Sequence, residues 1–212
     1  MSILEQLAGS LQSGDVSAVT EQMRWAIEGK LEPKSILENG LIAAMTTVGD
    51  RFKRHQIFLP DVLLAAKAMQ AGMDLLKPLL AKDGIPTIGR VVMGTVRGDL
   101  HDIGKNLVAI MLKGAGFEVI DLGKDVPPAR FIEAVEESQA EIMGMSALLT
   151  TTMPVMRDVI SLAKERGLRG KTKVIVGGAP LSSEFAREIG ADAYCFDGVK
   201  AVETVKELLG VS

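Results

Sequence analysis

From Ile3 to about Ala81 the apolar side chains return at intervals of three and four: Met23, Ala26 and Ile27, then Leu41, Met45 and Val48, then Leu64, Met69, Met73, Leu76 and Leu80. That spacing lays one apolar stripe along a helix of 3.6 residues per turn. Asp15 before Val16 and Pro33 after Glu32 mark helix starts, and Leu59-Pro60-Asp61 opens another helix with proline in its first turn, where the missing N–H has no partner to lose. About four helices forming a small bundle are predicted. After Lys82-Asp83-Gly84-Ile85-Pro86 the pattern changes to short apolar runs over Val91–Thr95, Glu118–Leu122, Glu141–Ser146, Lys173–Gly177 and Ala191–Phe196, separated by segments of helical period. The break divides the chain into a helical domain, residues 1–87, and a second domain, residues 88–212.

Five strands alternating with five helices must lie parallel, because the long connections cannot be hairpins. Right-handed crossovers then give a doubly wound sheet. A flavodoxin-like, Rossmann-like α/β domain with a five-stranded parallel sheet in the order 2-1-3-4-5 is expected. In such sheets ligands bind beyond the carboxyl ends of the strands, near the reversal of strand order. The loops of interest are those after strands one, three, four and five: Arg97-Gly98-Asp99-Leu100-His101, Ser146-Ala147-Leu148-Leu149-Thr150, Gly177-Gly178-Ala179-Pro180 and Asp197-Gly198.

Composition narrows the chemistry. Twenty-four basic and 27 acidic residues leave a net charge of -3 with no basic block, which argues against nucleic acid as a partner. No apolar stretch approaches the ~20 residues of a membrane span, and Met1-Ser2-Ile3-Leu4-Glu5 lacks the basic start of a secretory signal, so no membrane and a cytoplasmic location are expected. The single cysteine, Cys195, excludes an internal disulfide and any Cys-based metal cluster and is expected to pack at a strand end. The 11 methionines read as core filling.

The first loop places Asp99 and His101 two residues apart between Gly98 and Gly104. In an extended loop such residues share a side, so the carboxylate can accept a hydrogen bond from the imidazole, the arrangement that commonly orients a metal-bound histidine. The plain alternative is that Asp99 caps the next helix and His101 is solvated. A phosphate-binding loop ending in Gly104-Lys105 fails on spacing, with five residues between Gly98 and Gly104 and Asn106 where a hydroxyl residue would hold magnesium. The His101-Asp102 pair also resembles the signature of metal-dependent phosphohydrolases. Those are helical enzymes needing further His and Asp ligands, and only His55, read as a surface residue, is on offer.

Taken together, these residues resemble the corrinoid proteins of anaerobic methyltransferase systems and the cobalamin-binding region of cobalamin-dependent methionine synthase. Asp99-x-His101-x-x-Gly104 matches the D-x-H-x-x-G motif, Ser146 to Thr150 the S-x-x-x-T loop, and Gly177-Gly178 the double glycine after strand four. Val48-Gly49-Asp50-Arg51-Phe52 and Phe58-Leu59-Pro60 resemble the family's helical cap. The resemblance implies a corrinoid cofactor, cobalamin or a relative in its methylcobalamin form, whose lower base leaves the cobalt and enters the sheet edge while His101 takes its place. It further implies that Asp99 and Thr152 complete a relay behind His101, and that Ser146 and Thr150 bind the base. Gly177 and Gly178 would let the tail pass, and Tyr194, Asp197 and Gly198 would line the far wall. Asp102, Ile103, Gly104 and Leu148 complete the contacts, and Phe52 and Leu59 would cover the methyl-bearing face. Lys105 is read as a solvated first-turn residue able to touch the tail.

On that resemblance the chain carries a methyl group in one-carbon metabolism as a component of a larger system rather than as a complete enzyme. Its partners would be a substrate:corrinoid methyltransferase, a corrinoid:acceptor methyltransferase using tetrahydrofolate or a thiol coenzyme, and a reductive activase. The cap would swing aside on a hinge at Lys82 to Thr87, with Gly84 absorbing the change. Two neighbouring functions share the motifs: a cobalamin-sensing regulator, which usually carries an output domain, and the adenosylcobalamin subunit of a mutase, which generally lacks the cap.

Overall fold

The computed structural model describes residues 2–82 and 88–211, so residues 83–87 of the expected hinge, Gly84 among them, lie outside the described residues. The chain divides into two compact units, one built on each half of the sequence.

The helical unit contains α1 (Ile3–Gln12), α2 (Val16–Glu28), α3 (Pro33–Ser35), a π-helical segment (Ile36–Ile42), α4 (Ala43–Lys53) and α5 (Leu59–Lys82). The three middle segments follow one another without leaving helical backbone, so the unit has the four rods that the periodicity predicts. Its caps follow local chemistry. Ser2 and Glu5 exchange side-chain and backbone hydrogen bonds in a capping box, Asp15 accepts from the Ala18 amide, and Pro33 opens α3. The buried stripe of α5 runs through Val62, Ala65, Ala68, Met69 and Leu76. Leu64, expected on that stripe, is 50% exposed because two residues past Val62 is a rotation of about 200°.

The α/β unit runs β1 (Arg90–Thr95), α6 (Ile103–Gly114), β2 (Glu118–Asp121), α7 (Pro128–Ser138), β3 (Ile142–Ser146), α8 (Pro154–Glu165), β4 (Lys173–Gly177), α9 (Ser183–Ile189), β5 (Ala193–Tyr194) and α10 (Gly198–Leu209). All strand pairs are parallel, as the crossover lengths require, and the order is β2-β1-β3-β4-β5, the flavodoxin-like order expected for five strands. The central strands are buried on both faces, which explains why β1 reads as a nearly unbroken apolar run. Val92, Met143, Met145, Val174 and Val176 pack with Phe131, Val135, Met156, Ile160 and Ile189 of α7, α8 and α9. Strand β5 is shorter than the run Ala191–Phe196 suggests. It has a partner on one side only, and the Asp192 carboxylate accepts from the Val174 amide at 2.6 Å where a ladder carbonyl would stand.

Register decides what meets at the carboxyl edge. Thr95 pairs with Ser146, and Ser146 with Gly177, so the loops after β1, β3 and β4 leave the sheet from a single row.

Candidate functional site

Asp99 sits at the centre of that edge with no exposed surface. Its Oδ1 accepts from the His101 amide at 3.0 Å and meets Nδ1 of the same ring at 2.8 Å. Its Oδ2 accepts from the amides of Leu148 at 2.7 Å and Leu149 at 3.1 Å and from the Thr152 hydroxyl at 2.8 Å. Burial by itself would raise the Asp99 carboxyl. The donors of His101, Leu148 and Thr152 outweigh it and hold the group well below the usual carboxylate range. The result is a fixed anion behind an imidazole whose side chain is 52% exposed. With Nδ1–H donated to Asp99, the lone pair is on Nε2, the nitrogen open to a ligand.

The backbone shapes the rest. Gly98, at φ +85°, turns the chain so that Asp99 points inward, and the Thr95 hydroxyl donates to the His101 carbonyl at 3.2 Å. Gly178, at φ +141°, lies where a Cβ would stand 1.8 Å from the Ala147 carbonyl oxygen, so only glycine lets the loops after β3 and β4 pass. Gly104, second in α6, faces open space. Gly177 lies near the Cys195 carbonyl, and Gly198, the first residue of α10, sits against the Met111 sulfur.

The structure brings His101, Asp99, Thr152 and the Leu148 backbone into hydrogen-bonding contact. It places Ser146 half-buried on the edge row and Thr150 exposed in the following loop. Asp102 precedes α6, Asp197 caps α10 through the Lys200 amide at 2.7 Å, and Tyr194 packs on the core. Phe52 and Leu59 lie half-buried in the helical unit, on α4 and at the start of α5. One expectation is corrected. Lys105 is not solvated but 2% exposed, its Nζ 2.6 Å from both carboxylate oxygens of Asp121 and from Asn106 Oδ1, because the crossover from β1 lays the first turn of α6 against the end of β2.

Sequence reasoning also missed two features. Leu100, Leu149 and Phe196, 62, 41 and 69% exposed, join the expected contacts Ile103 and Leu148, 81 and 42% exposed, as apolar side chains in segments after β1, β3 and β5. Apolar residues flanking a charged motif were the available signal. The loop after β2 also contributes, through Asp125, which accepts from the Gly98 amide at 2.7 Å. One nitrogen donor, with exposed apolar side chains in the neighbouring loops, fits a metal already held in a flat macrocycle better than a bare ion. Among the described residues no group of three or more His, Cys, Asp or Glu could hold a metal ion.

Two family models, each described as a B12 binding domain, match residues 89–206 and 3–77. Dimethylamine corrinoid protein 1 of Methanosarcina acetivorans is 47% identical over 208 residues, covering 98% of this chain and 97% of its own. The chain belongs to the B12-binding corrinoid proteins. A corrinoid protein of Desulfitobacterium hafniense is 41% identical over 213 residues, covering 99% of each chain. Among solved structures, a cobalamin-binding protein from Desulfitobacterium hafniense matches at TM-score 0.77 and 34% identity, covering 97% of this chain and 98% of its own. The methanol:cobalamin methyltransferase complex of Methanosarcina barkeri matches at TM-score 0.90 and 28% identity, covering 99% of this corrinoid protein and 80% of its own chain. Among the described residues no helix is long and apolar enough to cross a membrane.

Proposed function

We propose that this corrinoid protein is a methyl carrier that binds its cofactor with the lower base displaced and His101 as the lower ligand to cobalt. The observation that carries the reading is the Asp99 carboxylate, fully buried and saturated with donors, which fixes the His101 ring with Nε2 outward among exposed apolar side chains. When bound, the corrinoid supplies a cobalt centre able to accept and release a methyl group. His101 would hold the cobalt through Nε2 and orient the cofactor. The Asp99 carboxylate, accepting from Nδ1, holds the ring in the tautomer that leaves the Nε2 lone pair free. Thr152, donating from behind, holds the carboxylate in place. Ser146, Thr150, Gly177 and Gly178 would line the sheet edge that receives the displaced base.

The chain serves two methyltransferases, one loading it from a methylated substrate and one unloading it to a folate or thiol acceptor, with a reductive activase restoring the cofactor. The names of the relatives put methylamines first among donors. The test is cobalt(II) spin resonance of cobalamin bound to protein labelled with 15N-histidine. A protein nitrogen on cobalt gives a doublet splitting in labelled protein and a triplet in unlabelled, and His101→Ala removes the label dependence. An unlabelled pattern in both samples would defeat the ligand assignment. Pairing the loaded chain with methylamine, methanol and betaine methyltransferases then reads the donor.

A further inference from the structure

The loop after β2 follows the histidine loop along its length. The Leu122 amide donates to the Met93 carbonyl at 2.7 Å, Thr95 to Gly123 at 2.9 Å and Val126 to Thr95 at 3.0 Å, and a parallel bridge joins Val96 to Val126. At the far end Asp125 grips the next peptide from two sides. Its Oδ1 accepts from the Gly98 amide at 2.7 Å, and its own amide donates to the Asp99 carbonyl at 3.1 Å. This double contact requires an unusual backbone, for Asp125 stands at φ +57°, a left-handed conformation that aspartate tolerates better than most side chains. Among the described residues, the other backbone–backbone hydrogen bond of the Gly98–Asp99 segment runs from the Asp99 amide to the Val96 carbonyl at 3.1 Å. No hydrogen bond joins Asp125 to His101 among the described residues.

We infer that Asp125 is a positioning residue for His101, fixing the Gly98–Asp99 backbone through its carboxylate so that the imidazole reaches its ligand at the right height. The inference rests on His101 being the lower ligand. Asp125→Asn keeps the acceptor oxygen and tolerates the left-handed backbone. Asp125→Gly keeps the backbone and loses the acceptor. Because Asp125 is exposed and glycine relaxes its φ, the Gly variant keeps the fold, which far-ultraviolet circular dichroism checks. The readout is the fraction of bound cobalt(II) cobalamin showing the 15N-histidine doublet. Asp125→Asn should match the parent, whereas Asp125→Gly should lower the ratio of histidine-ligated to unligated cobalt about threefold to tenfold, the worth of one hydrogen bond. An unchanged ratio in Asp125→Gly, or an equal fall in Asp125→Asn, overturns the positioning role. Absence of the doublet in the parent protein defeats the ligand reading instead.

Discussion

Gly178→Ala tests how the loops at the sheet edge are fitted together. The added methyl would stand 1.8 Å from the Ala147 carbonyl oxygen and 2.9 Å from its carbon, and the backbone sits at φ +141°. An ordinary C···O contact is about 3.3 Å or more, so the two loops must separate by roughly 1.5 Å. The obstacle is backbone, and no rotamer change relieves it. Strain at such a φ costs about 1–3 kcal/mol, and overpacking adds a similar amount, which gives a loss of about 2–6 kcal/mol. With a urea dependence of about 2 kcal/mol per molar, the midpoint of the α/β unit falls by about 1–3 M. The assay can be specific to that unit, because the single tyrosine, Tyr194, lies in it and the single tryptophan, Trp25, lies in the helical unit. Gly167→Ala is the control. It shares a positive φ of +70° but has nothing within 4 Å, so it should lose only the ~1–2 kcal/mol of a left-handed alanine. If Gly178→Ala shifts the tyrosine transition no further than Gly167→Ala, the close-approach reasoning is wrong.

Thr152→Val removes the hydroxyl that faces Asp99 and should cost about 1.5–3 kcal/mol in the same urea assay, while Thr152→Ser keeps the donor and should stay within about 1 kcal/mol of the parent. Asp99→Asn turns an amide group toward donors that expect an acceptor. It should destabilise the α/β unit by about 2–4 kcal/mol and weaken cobalamin binding in a spectral titration; wild-type affinity in the variant would contradict the anchoring role. The Lys105–Asp121 pair should respond asymmetrically, since the Lys105 side chain is 1% exposed and that of Asp121 32%. Asp121→Ala strands a buried ammonium and should cost about 3 kcal/mol. Lys105→Met leaves a carboxylate that water can reach and should cost less, and the reverse order in urea denaturation would refute the burial argument. Burial, its largest influence, pushes the Cys195 thiol up to about 11 from 9.0. A raised folded value favours the protonated state, so the associated stability, about 2–3 kcal/mol, is complete below pH 9 and lost as pH rises toward 11. Cys195→Ser should flatten that alkaline decline, and native Cys195 should resist alkylation at neutral pH.

Strand count and parallel pairing were legible because they depend on local period and connection length. Crossovers of a dozen or more residues force parallel strands, and several helix starts bear a local cap such as Asp15 or Pro33. Asp99 and His101 were legible as a pair because their hydrogen bond spans two residues and is settled within one loop. Thr152, 53 residues from Asp99, entered only through family resemblance, and no spacing within the chain announces that contact.

What the sequence determined by itself was therefore whatever short-range sterics and periodicity control: the helical half, the five apolar runs, and the loop with a carboxylate beside an imidazole. The tertiary structure decided the environment of each polar group, since burial depends on what the register lays across it. Lys105 reads as a solvated helix-start lysine until the crossover sets it over Asp121. Leu100 and Phe196 read as ordinary apolar residues until the loops leave them exposed at one edge. Asp125 reads as a turn residue until the loop after β2 is drawn against Gly98. The sequence identifies the Asp99–His101 pair, and the register of five parallel strands turns it into a buried anion holding one nitrogen toward a ligand.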